Sequence, residues 1–519
     1  MKYWVTPAEM AEFDRKTIAG GTPGDVLMER AGTAVADAAM GMTSPERGGQ
    51  IHIWCGPGNN GGDGLVAGRL LLEQGYDVCV IMAAKPGRSL SHDCQTNLSR
   101  FVQKNGCVIP PGRLGELSGS PALVIDALLG TGFKGELDGL FSDCAKHMCS
   151  FDCPVLAVDS PSGVNGTTGQ ADPLAVRADV TVTFAAPKVG LLLAPAAAMT
   201  GMLFVADIGI RVDPVPSREV AGISEIRSLL PHRPVDAHKG TFGRLLMVGG
   251  SEEMPGAPQL MAIGALRSGI GLATLAVPQQ AAPAVSGRIP EVLSAFFAAD
   301  DPSTLPDHRG FNAAAFGPGL GTSDETAGLV AFVLENWQIP LVLDADGLNS
   351  LSHPIEQLRN YSGQLVLTPH PGELMKLMKI DSSDTASLMV SAGKLASYTD
   401  AIVLLKGKPT FVFGSNGRCC LIPAGNNGLA TGGSGDVLTG IVSSLLAQGM
   451  NSMDAAVLGA YVHGLSADML LYRMSGRSML PSDVAAGLCD AFRFLEGNAG
   501  EDLLSPGGRW NGELFDLKR

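Results

Sequence analysis

Between Asn426 and Gly440 the chain reads NNGLATGGSGDVLTG, which brings together the residue types that phosphoryl chemistry needs. Gly432, Gly433 and Gly435 leave the backbone free to curl so that its N–H groups converge. A helix start offers unpaired donors and partial positive charge, so the guest of such a turn is an anion. Asp436 sets a carboxylate in that place, where a general base is its natural use. The same letters also fit a glycine-rich turn closed by an aspartate. Three more polar clusters follow apolar runs in the first half of the chain. They are GPGNNGGDG, with Asn59, Asn60, Gly61, Gly62 and Asp63; Asp126 followed by GTGFKGE; and DSPSGVNG, with Asp159 and Ser162. Asp126 alone reads equally as a strand-end carboxylate capping a neighbouring turn.

Val437, Leu438, Ile441, Val442, Leu445 and Leu446 recur at helical spacing and pin a helix behind Asp436. In the first half, residues 7–19 and 26–40 read as helices separated by GGTPG. The apolar runs 50–55 and 78–83 flank the GPGNNGGDG loop and a helix over 65–74, a strand–loop–helix–strand unit of Rossmann-like type. The runs 123–128 and 155–158 end in Asp126 and Asp159, so three polar strand ends meet on one sheet edge, where open α/β sheets bind ligands. The loop is not GxGxxG, and ordinary dinucleotide binding does not follow from it. In the second half a strand over 244–248, a helix over 255–268 and a strand over 272–277 lead into AAAFGPGLGT, LVLDADGLN, QLVLTPHPGE and AIVLLKGKPT. Each run ends in Gly, Asp, His or Lys, the signature of a parallel sheet with one functional edge.

At 519 residues the chain exceeds one ordinary core, and two domains are expected. RVDPVPSREV and SLLPHRP, rich in proline and charge, suggest a connection over 217–229 between domains of 1–216 and 230–500, with a tail over 501–519. A net charge of −14 without a long basic run argues against nucleic acid or an anionic membrane surface. Ten cysteines without a CxxC pair predict reduced thiols and no zinc site. The first residues lack the apolar core of a signal peptide, and no run of ~20 apolar residues spans a bilayer. A soluble cytoplasmic protein is expected.

GPGNNGGDGLVAGRLL, IDALLGTGFKG, AVDSPSGVNG and TFAAPKVGL resemble, in order, the epimerase domain of NAD(P)H-hydrate repair enzymes. HKGTFGRLLMVGGS, GAPQLMAIGALRSGIGLATL, GPGLG, LDADGLN, LTPHPGE, LKGKPT and ATGGSGDVLTG resemble the ribokinase-like, ADP-dependent NAD(P)H-hydrate dehydratases. The implied fold is α/β throughout, an N-terminal Rossmann-like three-layer sandwich and a C-terminal ribokinase-like α/β domain. Asn427, Leu429 and Ser434 depart from the family's proline, methionine and threonine without removing a donor or the base.

The resemblance implies a bifunctional repair enzyme, in which one domain interconverts R and S hydrates at C6 of the nicotinamide ring. The other dehydrates the S form to NAD(P)H at the expense of ADP, giving AMP and phosphate. Asn59 to Asp63, Gly130, Thr131, Gly132, Phe133, Lys134, Gly135, Glu136 and Asp159 would contact the hydrate in the first domain. Asn60, Asp126 and Ser162 would hold potassium, in keeping with an oxygen-only set. Inversion needs acid/base help near the C6 oxygen. Asp159 is the first candidate, and Lys188 is the second. Its ammonium either steadies the departing oxygen or simply pairs with a carboxylate or phosphate.

In the second domain Ala257, Gly319, His370 and Asp436 would face the hydrate. Lys406, Gly407, Lys408, Pro409 and Thr410 would hold ADP, carried with Mg2+, together with Asn426, Asn427, Gly428, Leu429, Ala430, Thr431, Gly432, Gly433, Ser434 and Gly435. The hydroxyl is a poor leaving group and phosphate a good one. Asp436 would therefore take the hydroxyl proton, the oxygen would attack the terminal phosphoryl group, and the Gly432–Gly435 amides would stabilise the developing charge. His370 could instead bond backbone, and Glu373 could be a carboxylate favoured by a helix start. The partners implied are small molecules and further copies of the chain in a homo-oligomer. The competing reading is a kinase of a small alcohol, of hydroxymethylpyrimidine type, with the first half as a nucleotide sensor.

Overall fold

The computed structural model describes residues 2–84, 89–110, 112–113, 120–213, 215–351, 353–497 and 512–516. The chain divides into two units, one of residues 2–215 with 502–518, the other of residues 216–501.

In the first unit α1 (Pro7–Ala19) begins with a capping box in which Thr6 and Glu9 each accept the other's backbone N–H. It is followed by α2 (Gly24–Met42). Five runs form β1 (Ile51–Cys55), β2 (Val78–Met82), β4 (Leu123–Ala127), β5 (Val155–Val158) and β6 (Val180–Phe184), buried at every position. Burial on both faces is why they read as unbroken apolar runs. With β3 (Cys107–Ile109) and β7 (Met202–Ala206) they make a parallel sheet in the order β3-β2-β1-β4-β5-β6-β7. The order reverses between β1 and β4, which opens a crevice at their carboxyl ends.

The helix after β1, α3 (Asn59–Glu73), starts six residues before the expected 65–74, so the polar residues of the GPGNNGGDG stretch form its first turn. Glycines are tolerated there because packing leaves no room for a side chain. A Cβ at Gly61 would stand 1.9 Å from Gly56 O, one at Gly62 2.7 Å from the Met28 side chain, and one at Gly64 2.5 Å from Ala127 Cβ. Ile53, Leu65, Leu71, Val80, Phe101 and Ile125 fill the core that α3 covers.

The second unit is a larger α/β sheet. Its parallel strands are β9 (Arg244–Val248), β10 (Leu272–Pro278), β11 (Val292–Phe297), β12 (Ala313–Phe316), β13 (Leu341–Leu343), β14 (Leu365–Leu367) and β15 (Ile402–Leu405). Their order is β11-β10-β9-β12-β13-β14-β15, with the reversal between β9 and β12. An antiparallel pair, β16 (Thr410–Phe413) and β17 (Cys419–Ile422), extends the sheet beyond β15. Between β9 and β10 lies α4 (Gly256–Arg267); α5 (Pro371–Met378) follows β14, and α6 (Ser434–Ala447) and α7 (Ser452–Leu470) follow β17. The approach of α6 to α4 is so close that a Cβ at Gly440 would lie 2.0 Å from Met261 O.

Residues 217–229, read from composition as a connection, are built into this unit. The strand β8 (Glu219–Val220) pairs in parallel with β17, Arg418 donates to Glu219 at 2.8 Å, and Ile226 is fully buried. Of the stretch expected as a C-terminal tail, Gly512–Asp516 forms a strand antiparallel to β7 in the first unit's sheet. The remainder of that stretch lies outside the described residues. Among the described residues no helix is long and apolar enough to cross a membrane, and all ten cysteines are free thiols.

Candidate active sites

In the first unit the crevice gathers the ends of β1, β4, β5 and β6. No side chain caps the start of α3, so the backbone donors of its first turn are open to an anion. Asp159 follows β5 at φ 62, a left-handed conformation that aspartate tolerates better than most residues. Its Oδ1 accepts from Lys188 Nζ at 2.8 Å and from Thr183 Oγ1 at 3.0 Å, and its Oδ2 accepts from Thr131 Oγ1 at 2.9 Å. Lys188 is 1% exposed and also donates to Thr183 Oγ1 and Phe184 O. Burial pushes the Asp159 carboxyl up, but the Lys188 ammonium and the donors around it outweigh that, and the group lies below its ordinary value. Asp63 behaves in the opposite way. Burial, followed by the charges of Asp159, Asp14 and Asp93, holds its carboxyl well above the usual range.

Asp126, at the end of β4, is fully buried. Ser162 N donates to its Oδ2 at 2.7 Å, while Ser162 Oγ at 2.6 Å and Leu128 N at 3.2 Å donate to its Oδ1. All three donors are neutral, and burial lifts the carboxyl to about 6. Asn60 lies beside Gly130, with one end of its amide buried and unpartnered. A half-turn of that amide would put its oxygen at the unpartnered position. Thr131 bonds Asp159 directly, and Gly130 stands against Asn60. Gly132, Lys134, Gly135 and Glu136 are exposed, with Phe133 half-buried between them.

In the second unit α6 starts at Ser434, with Gly433 at φ 96 before it and no side chain capping its first turn. Above Gly432 there is open space for a ligand, whereas a Cβ at Gly435 would meet Lys406 Nζ at 3.3 Å. Asp436 lies in that first turn. Burial, the nearby Asp344 and the more weakly felt Asp346 raise its carboxyl, Lys406 opposes them, and the group titrates at about 7. A carboxyl poised near neutrality is suited to accepting a proton.

Lys406, expected on the nucleotide, points at carboxylates: its Nζ donates to Asp344 Oδ1 at 2.8 Å and lies 3.8 Å from Glu373 Oε2. His370 caps α5, its Nδ1 accepting from Gly372 N at 3.0 Å and Glu373 N at 3.3 Å, which is the backbone-bonding alternative. Its Nε2, 3.4 Å from Glu373 Oε1, is the atom left for a ligand. Ala257 and Gly319 come together, since a Cβ at Gly319 would stand 2.9 Å from that of Ala257. Asn426 is buried and ties Gly428 N to Asp468, so it shapes the turn from beneath. Lys408–Pro409 is a cis peptide leading into Thr410.

A family model described as NAD(P)H-hydrate dehydratase matches residues 245–488, and one described as YjeF-related protein N-terminus matches residues 24–190. A bifunctional NAD(P)H-hydrate repair enzyme of Moorella thermoacetica is 38% identical over 521 residues, covering 95% of this chain and 97% of its own. The chain belongs to this family of bifunctional NAD(P)H-hydrate repair enzymes. A further member from Thermofilum pendens is 37% identical over 86% of this chain and 88% of its own length. Among solved structures, an ADP/ATP-dependent NAD(P)H-hydrate dehydratase from Bacillus subtilis is 30% identical, covering 54% of this chain and 99% of that one with a TM-score of 0.49.

Within this member of the family, three polar residues at the second crevice were not singled out by sequence reasoning: Asp344, Asp346 and Thr439. Asp344 was legible in part, since it ends the apolar run of LDADGLN. Thr439 carried no signal, because a threonine one turn into a helix looks like any other.

Proposed function

We infer that the first unit epimerises the R and S hydrates of NAD(P)H at C6, and that the second dehydrates the S form to NAD(P)H while ADP is converted to AMP and phosphate. The observation that carries this reading is Asp436, a half-buried carboxyl titrating at about 7 in the uncapped first turn of α6. A phosphoryl group seated on the amides of Gly432 to Gly435 would lie beside it. Asp436 then takes the proton of the C6 hydroxyl, the oxygen attacks the terminal phosphoryl group of ADP with AMP as leaving group, and in a second step phosphate leaves from C6 as a proton is lost from C5, which forms the C5–C6 double bond of NAD(P)H. Ala257, Gly319 and His370 Nε2 border the hydrate. Thr410 and the loop from Gly407 to Pro409 border the nucleotide, which brings its own Mg2+.

In the first unit Asp159 and Lys188 supply the acid/base pair. Lys188 holds Asp159 ionised, so Asp159 accepts the proton when the carbinol oxygen or ring opens, and Lys188 steadies the oxygen that results. The first turn of α3 receives phosphate, and Asn59 to Asp63 with Gly130 to Glu136 line the nucleotide. Asp126, Ser162 and Asn60 suit potassium: a buried carboxylate with only neutral donors, a hydroxyl and an unpartnered amide make an oxygen-only set for a hard cation. When bound, the ion supplies fixed positive charge near the crevice. The protein is read as a cytoplasmic homo-oligomer with reduced thiols.

Absorbance at 340 nm after adding protein to mixed R and S NADH hydrate, with ADP or ATP in parallel, tests both activities. Complete recovery with ADP is expected. Recovery that stops when the S form is exhausted would remove the epimerase assignment, and a stable phosphorylated alcohol in place of NADH would establish a kinase.

A further inference from the structure

Asp344 follows β13 and is 1% exposed, with both carboxylate oxygens committed. Oδ1 accepts from Lys406 Nζ at 2.8 Å, and Oδ2 accepts from Thr439 Oγ1 at 2.6 Å. Lys406 follows β15, and Thr439 sits one turn beyond Asp436 on α6. One carboxylate therefore joins two strand ends to the helix that bears the base. The backbone around it allows little movement. Asp344 O accepts from Gly347 N at 2.9 Å, and a Cβ at Gly317 would fall 1.9 Å from the same oxygen.

The pair lies directly beneath the anion turn. A Cβ on Gly435 would meet Lys406 Nζ at 3.3 Å and Asp344 Oδ2 at 3.9 Å. A lysine in that place, left to itself, would swing to the nearest carboxylate, Asp436 included. Asp344 holds it at 2.8 Å, with Glu373 of α5 on its flank at 3.8 Å.

We propose that Asp344 is a positioning residue of the dehydratase reaction: it holds the Lys406 ammonium off Asp436 and fixes the first turns of α6, so that the Asp436 carboxylate is free to accept the substrate proton. The inference rests on the dehydratase reading of the second unit. The groups facing Asp436 are Asp344 from β13, Asp346 from the short helix after it and Lys406 from β15. Behind them stand Glu373 on α5 and His463 on α7, the latter kept neutral because burial lowers it to about 4. Asp344 and Asp346 push Asp436 up and Lys406 pulls it down, so removing the Asp344 charge and releasing Lys406 act in the same direction.

The test is the pH dependence of kcat/KM for S NADH hydrate with ADP, read at 340 nm, for the parent, Asp344→Asn, Asp344→Glu and Thr439→Val, with thermal melting of each. In Asp344→Asn the acid limb should move down by ~1 pH unit as the like charge is lost, and plateau turnover should fall ~10- to 100-fold as the base weakens. Asp344→Glu should return the limb toward its parent position. Thr439→Val should lower turnover by a few-fold (~3-fold, one hydrogen bond) with the limb unmoved. An Asp344→Asn limb at the parent position overturns the proposal, whatever its turnover, because turnover lost alongside melting temperature alone marks a structural ion pair. Should Asp344→Asn not fold, Asp344→Glu with lower turnover and an unmoved limb supports the proposal, and full turnover in both Asp344→Glu and Thr439→Val overturns it. A parent that regenerates no NADH fails the functional reading instead, and the parent arm shows this before any variant is compared.

Discussion

Replacing Asp436 by Asn should abolish dehydration and, above neutral pH, make the second unit more stable. The catalytic half follows from the role: loss of the base should cut turnover by ~10²–10⁴ while nucleotide still binds. In the parent, a carboxyl titrating at about 7 should make kcat/KM fall roughly tenfold per pH unit below that point, a limb that the Asn variant lacks. The stability half follows from linkage. The folded state raises this carboxyl from 3.8 to about 7. Its stabilising contribution is therefore fully present below pH ~4 and is lost as pH rises through ~7. Roughly three units at ~1.4 kcal/mol each sets an upper bound of about 4 kcal/mol, and partial solvent screening reduces this to ~2 kcal/mol at pH 8. Asn has the same size and no charge to desolvate. Urea unfolding of parent and variant at pH 8 and pH 5.5 should show the variant ahead at pH 8, with the gap narrowing at pH 5.5. Equal turnover would refute the base assignment, and a variant less stable than the parent at pH 8 would refute the claim that Asp436 is held against its own solvation.

Three further outcomes are expected. Lys188→Met leaves the buried Asp159 carboxyl without its cation, so the first unit should lose ~3–5 kcal/mol of stability. Epimerisation should vanish while dehydration of pure S hydrate continues, as a chiral separation of the two hydrates would show. Exchanging potassium for tetramethylammonium should lower the epimerisation rate and the melting temperature of the first unit, by ~10-fold in rate, and Asp126→Ala should remove the potassium response of both. Gly440→Ala should cost at least ~1–3 kcal/mol, because a Cβ there would stand 2.0 Å from Met261 O; circular dichroism melting of the intact chain would detect it.

Much of this architecture was legible because parallel strands buried on both faces leave unbroken apolar runs. IHIWC, VCVIM and LVIDA declare themselves, and the polar residues at their ends mark the binding edge. The α3 start was misplaced because three glycines look like a loop, whereas in the fold they are the residues that permit the close approach of α3 to Gly56 and Ala127. The connection expected over 217–229 shows a related effect. Proline and charge suggested solvent, but the backbone of Glu219–Val220 finds a strand to pair with some 200 residues later. The partners of Lys406 were beyond reach of spacing altogether. Asp344 is 62 residues away from it, and Thr439 is 95 residues from Asp344. A lysine in LKGKPT therefore reads as a phosphate ligand alone, and its contact with Asp344 is visible only in the fold.

The two crevices use the same pair of residue types to opposite ends. In the first, Lys188 has no second carboxylate at hydrogen-bonding distance among the described residues; it and the hydroxyls of Thr131 and Thr183 all serve Asp159, which is held below its ordinary value despite burial. In the second, one lysine stands among Asp344, Glu373 and Asp436, and the contact at 2.8 Å goes to Asp344. Burial and the charge of Asp344 raise Asp436 to about 7, with Lys406 only partly opposing them. The difference suits the proposed chemistries. A carboxylate that takes a proton only briefly while a carbinol opens and recloses gains from an exclusive cation that returns it to the ionised form, whereas one that must take a proton from an alcohol and hold it while phosphorus is attacked needs greater affinity for that proton. The lysine-to-carboxylate ratio within about 4 Å, one to one in the first crevice and one to two in the second, accordingly separates the two bases, even though both lie at the carboxyl edge of a parallel sheet.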